Sequence, residues 1–189
     1  MRDPDFRLLA FLVADVRHFR ALIEGKPEKE TKLRLFISMF SPRFTPVVLC
    51  RIAHGLYCLR LKPLAKLISL TNFIVFGIEI AVRCRIGKGL VLPHTQGTVI
   101  GAASIGENAI IFQGVTIGSK DLDISYAESR RPFVGNGVLV GAGAKVLGPI
   151  RIGDGVKIGA NAVVLESLPD GVVAVGVPAR ILSPSPTAK

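Results

Sequence analysis

The stretch that decides the fold runs IAVRCR (80–85), IGKGLV (86–91), LPHTQGT (92–98), VIGAAS (99–104), IGENAI (105–110), IFQGVT (111–116), IG (117–118). It resumes as VGNGVL (134–139), VGAGAK (140–145), VLGPIR (146–151), IGDGVK (152–157), IGANAV (158–163) and Val164. An aliphatic residue leads each unit: Ile80, Ile86, Leu92, Val99, Ile105, Ile111 and Ile117, then Val134, Val140, Val146, Ile152, Ile158 and Val164. A small residue, usually Gly, tends to follow the leader, and another small or β-branched residue stands in fifth place. A helix of about 3.6 residues per turn would scatter the leaders around every face. Very short strands separated by tight turns keep them together, so the repeat predicts a parallel β-helix with its leaders stacked inward.

Composition agrees with a stacked aliphatic core. Nearly half of the 189 residues are hydrophobic, yet there is no Trp and only 6% aromatic residues, against 20 Gly. Cys50, Cys58 and Cys84 form no CxxC pair, which excludes a cysteine zinc finger and predicts reduced thiols and no metal. The first 25 residues mix acids and bases through their apolar positions, unlike a secretory signal. A cytoplasmic location follows.

The net charge of +10 is unevenly spread. No acid lies between Glu30 and Glu79, whereas Lys32, Arg34, Arg43, Arg51, Arg60, Lys62 and Lys66 do. The bases alternate with Leu, Ile, Val and Phe. Such a segment either lies peripherally on the anionic inner face of the cytoplasmic membrane or packs as a helical hairpin with its bases in water. Its longest uncharged run, 67–78, is too short to span ~30 Å of hydrocarbon. Nucleic acid is not an expected partner, because the bases are not interleaved with aromatics.

Helical spacing over 5–24, a polar turn GKPEKE at 25–30, and prolines at 42 and 46 divide the first part of the chain. Val47–Leu61 reads as a helix and Pro63 starts another; from Thr71 the composition turns β-branched. The expected organisation is a basic helical region at 1–71 and a β-helix domain at 72–182. Residues 119–133 form an extruded loop within that domain, and 183–189 a disordered tail. A polar loop expelled from a regular scaffold is a natural place for function.

Of three histidines, His18 and His54 fall on predicted helices and read as packing residues. His94 stands in LPHTQGT, which carries an extra residue, so its turn bulges outward. A neutral imidazole is suited to take a proton from an alcohol if an acid fixes its other nitrogen. Glu79 precedes it by somewhat less than one coil of three hexads, which brings the two into neighbouring layers.

GIEIAVRCRIGKGLVLPHTQGTVIG, IIFQGVTIG and VGAGAKVLGPIRIGDGVKIGANAVVLESLPDGVVAVGVPARI together resemble serine O-acetyltransferases, and more broadly the hexapeptide acyltransferases. The resemblance spans about 72–182. It implies a left-handed β-helix, a homotrimer or dimer of trimers, and acetyl-CoA lying between adjacent β-helices. It places His94 on the catalytic histidine, Glu79 on its orienting acid, and Gly118, Ser119, Gly141, Ala142, Lys157 and Ala160 on acetyl-CoA contacts. Arg130 and Arg131 fall on substrate-binding positions. Two departures concern the acceptor: Pro93 replaces an acid and Arg131 replaces a histidine. With its short basic preface, the chain looks more like the capsule and exopolysaccharide O-acetyltransferases. The expected function is acetyl-CoA-dependent O-acetylation of a sugar hydroxyl on a polysaccharide or its lipid-linked precursor. The alternatives are serine O-acetylation in cysteine biosynthesis and a non-catalytic β-helix scaffold.

Overall fold

The computed structural model describes residues 7–24 and 41–182. The predicted turn at 25–30, the bases Lys32 and Arg34, and the predicted tail at 183–189 lie outside these residues. Three described helices come first: α1 (Leu8–Glu24), α2 (Thr45–Cys58) and α3 (Lys62–Phe76). Prolines stand in the first turns of α2 and α3, where a missing N–H costs nothing. Helix α3 ends on Gly77 at φ 64°; a Cβ there would also run into the Gln96 side chain. The expected change at Thr71 is therefore corrected, because α3 continues to Phe76. Extensive packing of α3 on α2 overrides the strand preference of its Phe, Ile and Val.

The rest is a left-handed parallel β-helix with three faces. The first face stacks β1 (Ile78–Ile80), β3 (Thr98–Ile100), β6 (Thr116–Gly118), β9 (Lys145–Leu147) and β12 (Val163–Val164). The second stacks β2 (Arg85–Ile86), β4 (Ser104–Ile105), β7 (Phe133–Val134) and β10 (Arg151–Ile152). The third stacks β5 (Ile110–Ile111), β8 (Leu139–Val140), β11 (Lys157–Ile158) and β13 (Val173–Val175), with β14 (Arg180–Leu182) closing it antiparallel to β13.

The leaders stack in register, as Ile117 on Val146 on Val164 and as Ile86 on Ile105 on Val134. Nearly all are at most 6% exposed, each contributing about 1.5–3 kcal/mol relative to an exposed side chain. Val99 is the exception. It faces outward opposite Glu79, and Ile100 takes the inward place on Ile80 and Ile117. The His94 turn uses two more residues than a hexad, and the following corner at 101–103 gives one back.

The helices cap the first coil through a buried ion pair. Arg51 Nε and Nη2 donate to the Asp15 carboxylate, both at 2.9 Å, with side-chain exposures of 3% and 0%. Arg51 also donates to Ile86 O and Gly87 O, while Asp15 accepts from the N–H groups of Gly89 and Leu90. His18 Nδ1 donates to Gly89 O and His54 Nδ1 to Val82 O, so both histidines dock helices onto the coil. Arg51, expected among the surface bases, belongs to this joint instead.

Candidate active site

His94 occupies the corner between the third and first faces. Its turn is fixed from below: the Thr95 hydroxyl donates to Phe76 O at 2.8 Å, and Gly97 N donates to Gly77 O at 2.9 Å. With Thr95 held inward, the His94 side chain is left exposed. Glu79 lies in the adjacent layer, two residues beyond Gly77 on β1, and also points outward. Spacing thus put these residues in neighbouring layers as expected, and no hydrogen bond joins them within the chain.

The same corner continues upward through Gln96, Gln113, Ala142 and Asn161. Gly114 N donates to Gln96 O, Gly143 N to Gln113 O and Asn161 N to Ala142 O. Ala142 and Ala160 therefore share the column of His94, with Gly141 buried beneath and Lys157 exposed on β11 leading into it. Two residues here were not anticipated. The Gln113 Oε1 atom is buried without a partner, and the Lys145 ammonium donates to Gly114 O from β9. A polar residue between Phe112 and Gly114 in an apolar repeat was the available signal for Gln113.

Gly118 and Ser119 stand elsewhere, at the corner between the first and second faces where the loop leaves the coils. Ser119 Oγ donates to Asp121 O. The loop is folded back against the coils. Tyr126 OH donates to Ala102 O at 2.7 Å, Arg83 donates to Ser125 O, and Arg85 pairs with Glu128. A short 3-10 turn at Glu128–Arg130 ends the loop.

Arg130 is exposed. Arg131 is not: it is 8% exposed, donates to Asp123 Oδ2 (3.0 Å) and Gly101 O (2.7 Å), and lies 3.7 Å from the Tyr126 ring centroid. Its expected role in holding substrate is corrected to that of a clasp inside the loop. Gly101 leaves room for it, since a Cβ there would sit 2.7 Å from Arg131 Nη1. Burial raises the Asp123 carboxyl, but hydrogen bonds from Ser125, the Ala127 N–H and Arg131, with the arginine charge, hold it below the usual carboxylate range. Tyr126 completes the clasp at φ 56°, a left-handed backbone that bulky residues rarely adopt.

No group of three His, Cys, Asp or Glu among the described residues is placed to hold a metal ion. Burial pushes the Cys50 thiol up to about 11 and Cys84 to about 12, which makes neither a nucleophile at neutral pH.

The family model of bacterial transferase hexapeptide (six repeats) matches residues 131–166. The serine acetyltransferase of Synechococcus elongatus is 39% identical over 165 residues, covering 87% of this chain and 66% of that protein. That of Helicobacter pylori is 45% identical over 138 residues, covering 72% and 79%; that of Haemophilus influenzae is 41% identical over 140 residues, covering 74% and 51%. The chain thus spans between about half and four fifths of the length of these relatives. Among solved structures, a serine acetyltransferase in complex with CoA has a TM-score of 0.77 at 32% identity, covering 93% of this chain and 69% of that one. Soybean serine acetyltransferase complexed with serine has 0.77 at 36%, with the same coverage. The likeness reaches beyond 72–182 into the helical layer.

Proposed function

The chain belongs to the serine acetyltransferase family of hexapeptide-repeat transferases, and from that we propose that it transfers the acetyl group of acetyl-CoA to a hydroxyl oxygen with His94 as general base. The single observation that carries this reading is His94, exposed on a turn pinned at Thr95 and Gly97, one layer from Glu79. His94 takes the hydroxyl proton as the oxygen attacks the thioester carbonyl carbon. The carbon–sulfur bond then breaks, and the imidazolium returns the proton to the leaving CoA sulfur. Glu79 orients the imidazole. Gly141, Ala142, Lys157 and Ala160 line one side of the acetyl-CoA groove. Gly118 and Ser119 line the other side, from a neighbouring copy in a homotrimer, because one chain holds these two groups at different corners, and Arg130 beside them contacts the acceptor.

L-serine is the leading acceptor, on the names that the relatives share. One observation favours a second reading, a sugar hydroxyl of a glycan. Among the described residues, no acid other than Glu79 stands at the His94 corner, where Pro93 precedes the histidine and Gln96, Gln113 and Asn161 follow up the column. An ammonium group held there without a partner would lose at least about 1–3 kcal/mol. Reaction in the cytoplasm fits either acceptor, and a lipid-linked glycan would add peripheral membrane contact. The test is CoA thiol release with L-serine against capsule-type oligosaccharides. Turnover saturating with serine alone establishes the first reading, turnover with the oligosaccharide alone establishes the second, and none with either refutes both.

A further inference from the structure

Helix α3 is apolar on the side that faces away from the protein as well as on the side that packs. Ala65 and Asn72 are buried. Around the rest of the circumference, Leu64, Leu67, Leu70, Phe73, Ile74 and Val75 are 45% to 71% exposed. Leu67, Leu70 and Ile74 fall at helical spacing and form one stripe, flanked by Leu64 and Val75. The polar residue on this side, Thr71, donates its hydroxyl back to Leu67 O, so it needs no water. A broad apolar stripe on a helix calls for an apolar surface against it, yet the described residues of this chain leave the stripe open.

Charge identifies the occupant. Arg60, Lys62 and Lys66 lie at the start and along one edge of the stripe, exposed and without an acidic partner among the described residues. From 41 to 78 the sequence has no Asp or Glu at all. A second copy packed stripe to stripe would bring these bases together with no acid of 41–78 to answer them. An anionic bilayer answers both features, taking the stripe into the acyl boundary and setting the bases against lipid headgroups. No described helix is long and apolar enough to cross, so α3 would lie in the plane.

We propose that α3 is a membrane-docking helix that seats this protein on an anionic lipid surface. The seat is mechanically joined to the chemistry, because the two carbonyls that hold the His94 turn, Phe76 O and Gly77 O, are the C-terminal end of this helix. Docking thus sets His94 near the lipid surface, whichever hydroxyl it acetylates.

The experiment is flotation of the full chain with phosphatidylcholine vesicles, with and without phosphatidylglycerol, alongside light scattering to give the size of the assembly. The full chain floats with the anionic vesicles and is released as salt shortens the Debye length from ~10 Å at 0.1 M to ~3 Å at 1 M. Leu67→Glu with Ile74→Glu abolishes flotation at all salt concentrations. Arg60→Glu, Lys62→Glu and Lys66→Glu together lower it by ~10²-fold, at roughly fivefold per base. Both variants keep wild-type acetyl-CoA binding, which reports on the coils and shows that they are folded. The proposal is overturned if the wild type stays with the pellet of non-floating protein at low salt. It is overturned equally if Leu67→Glu with Ile74→Glu floats like wild type, or if its main effect is a smaller assembly, which would make the stripe an interface between copies.

Discussion

Replacing Asp15 with Asn tests what holds the helical layer to the coils. The carboxylate is fully buried and accepts four hydrogen bonds, two from Arg51 and one each from Gly89 N and Leu90 N. Asn keeps the shape and one acceptor oxygen but leaves the Arg51 charge buried against Ile86 O and Gly87 O alone. Breaking one side of such a pair costs about 3–5 kcal/mol. For a chain of this size, a loss spread over the whole fold lowers Tm by ~2–4 °C per kcal/mol, hence by roughly 6–20 °C. The loss cannot exceed the docking free energy of α1, which rests mainly on Phe11, Leu12 and Val16. If α1 detaches before the coils melt, the same loss appears as faster amide exchange over Leu8–Glu24, by ~10²–10⁴-fold at 1.36 kcal/mol per decade.

The assay is therefore calorimetry combined with peptide-resolved hydrogen exchange. Arg51→Met in the Asp15→Asn background removes the unpaired charge while keeping an unbranched apolar stem beside Phe11, and it should recover most of the loss. Exchange in α1 no faster in Asp15→Asn than in wild type would refute the joint. So would a double variant no more stable than the single one.

Three other outcomes are expected. His94→Ala lowers turnover by ~10²–10⁴-fold with the assembly unchanged, and Glu79→Gln lowers it less, both read by thiol release. The Asp123 carboxyl is held below its usual range, so the Arg131 clasp is intact above the unfolded value of about 3.9 and is lost as pH falls through the lower folded value; exchange over 119–132 should stay slow at pH 5 and rise only in stronger acid. Alkylation of the native protein at neutral pH, read by mass spectrometry, marks the half-exposed Cys58 first. Cys50 and Cys84, pushed up to about 11 and 12, stay protected, and their contribution to stability, complete below about pH 8.5, is lost as pH rises toward those values.

The repeat was legible because each hexad reports its own inward position, and stacking of identical units needs no long-range information. Register failed at Val99 because the second extra residue in the His94 turn is given back only at the next corner. The change expected at Thr71 comes only after Phe76 because composition alone cannot register α2 packed alongside. Arg130 and Arg131 look alike in sequence. In space the first ends a 3-10 turn and the second is extended at φ −121° and ψ 153°, which turns it inward beneath Tyr126. The Asp15–Arg51 pair joins residues in two separate helices, and no periodicity links them. That His94 and Glu79 lie in neighbouring layers was legible because coil length converts spacing into layer.

The three corners of the prism have separate tasks, and this limits where a developing negative charge could be met. The corner between the second and third faces, at Gly87–Leu90, is filled by Asp15, His18 and Arg51. The corner between the first and second faces is covered by the clasped loop. Among the described residues, the His94 corner carries neither the helical joint nor the loop. Yet there the N–H groups of Gly97, Gly114, Gly143 and Asn161 already donate to the layer beneath, with N···O distances of 2.8–2.9 Å. These rungs hold the coil together and cannot turn to an oxyanion without loosening it. Stabilisation of the tetrahedral oxygen therefore has to come from outside that set, either from first-turn N–H groups such as that of Ala142 or from a neighbouring copy. A site assembled between copies meets this demand without disturbing the stack that positions His94.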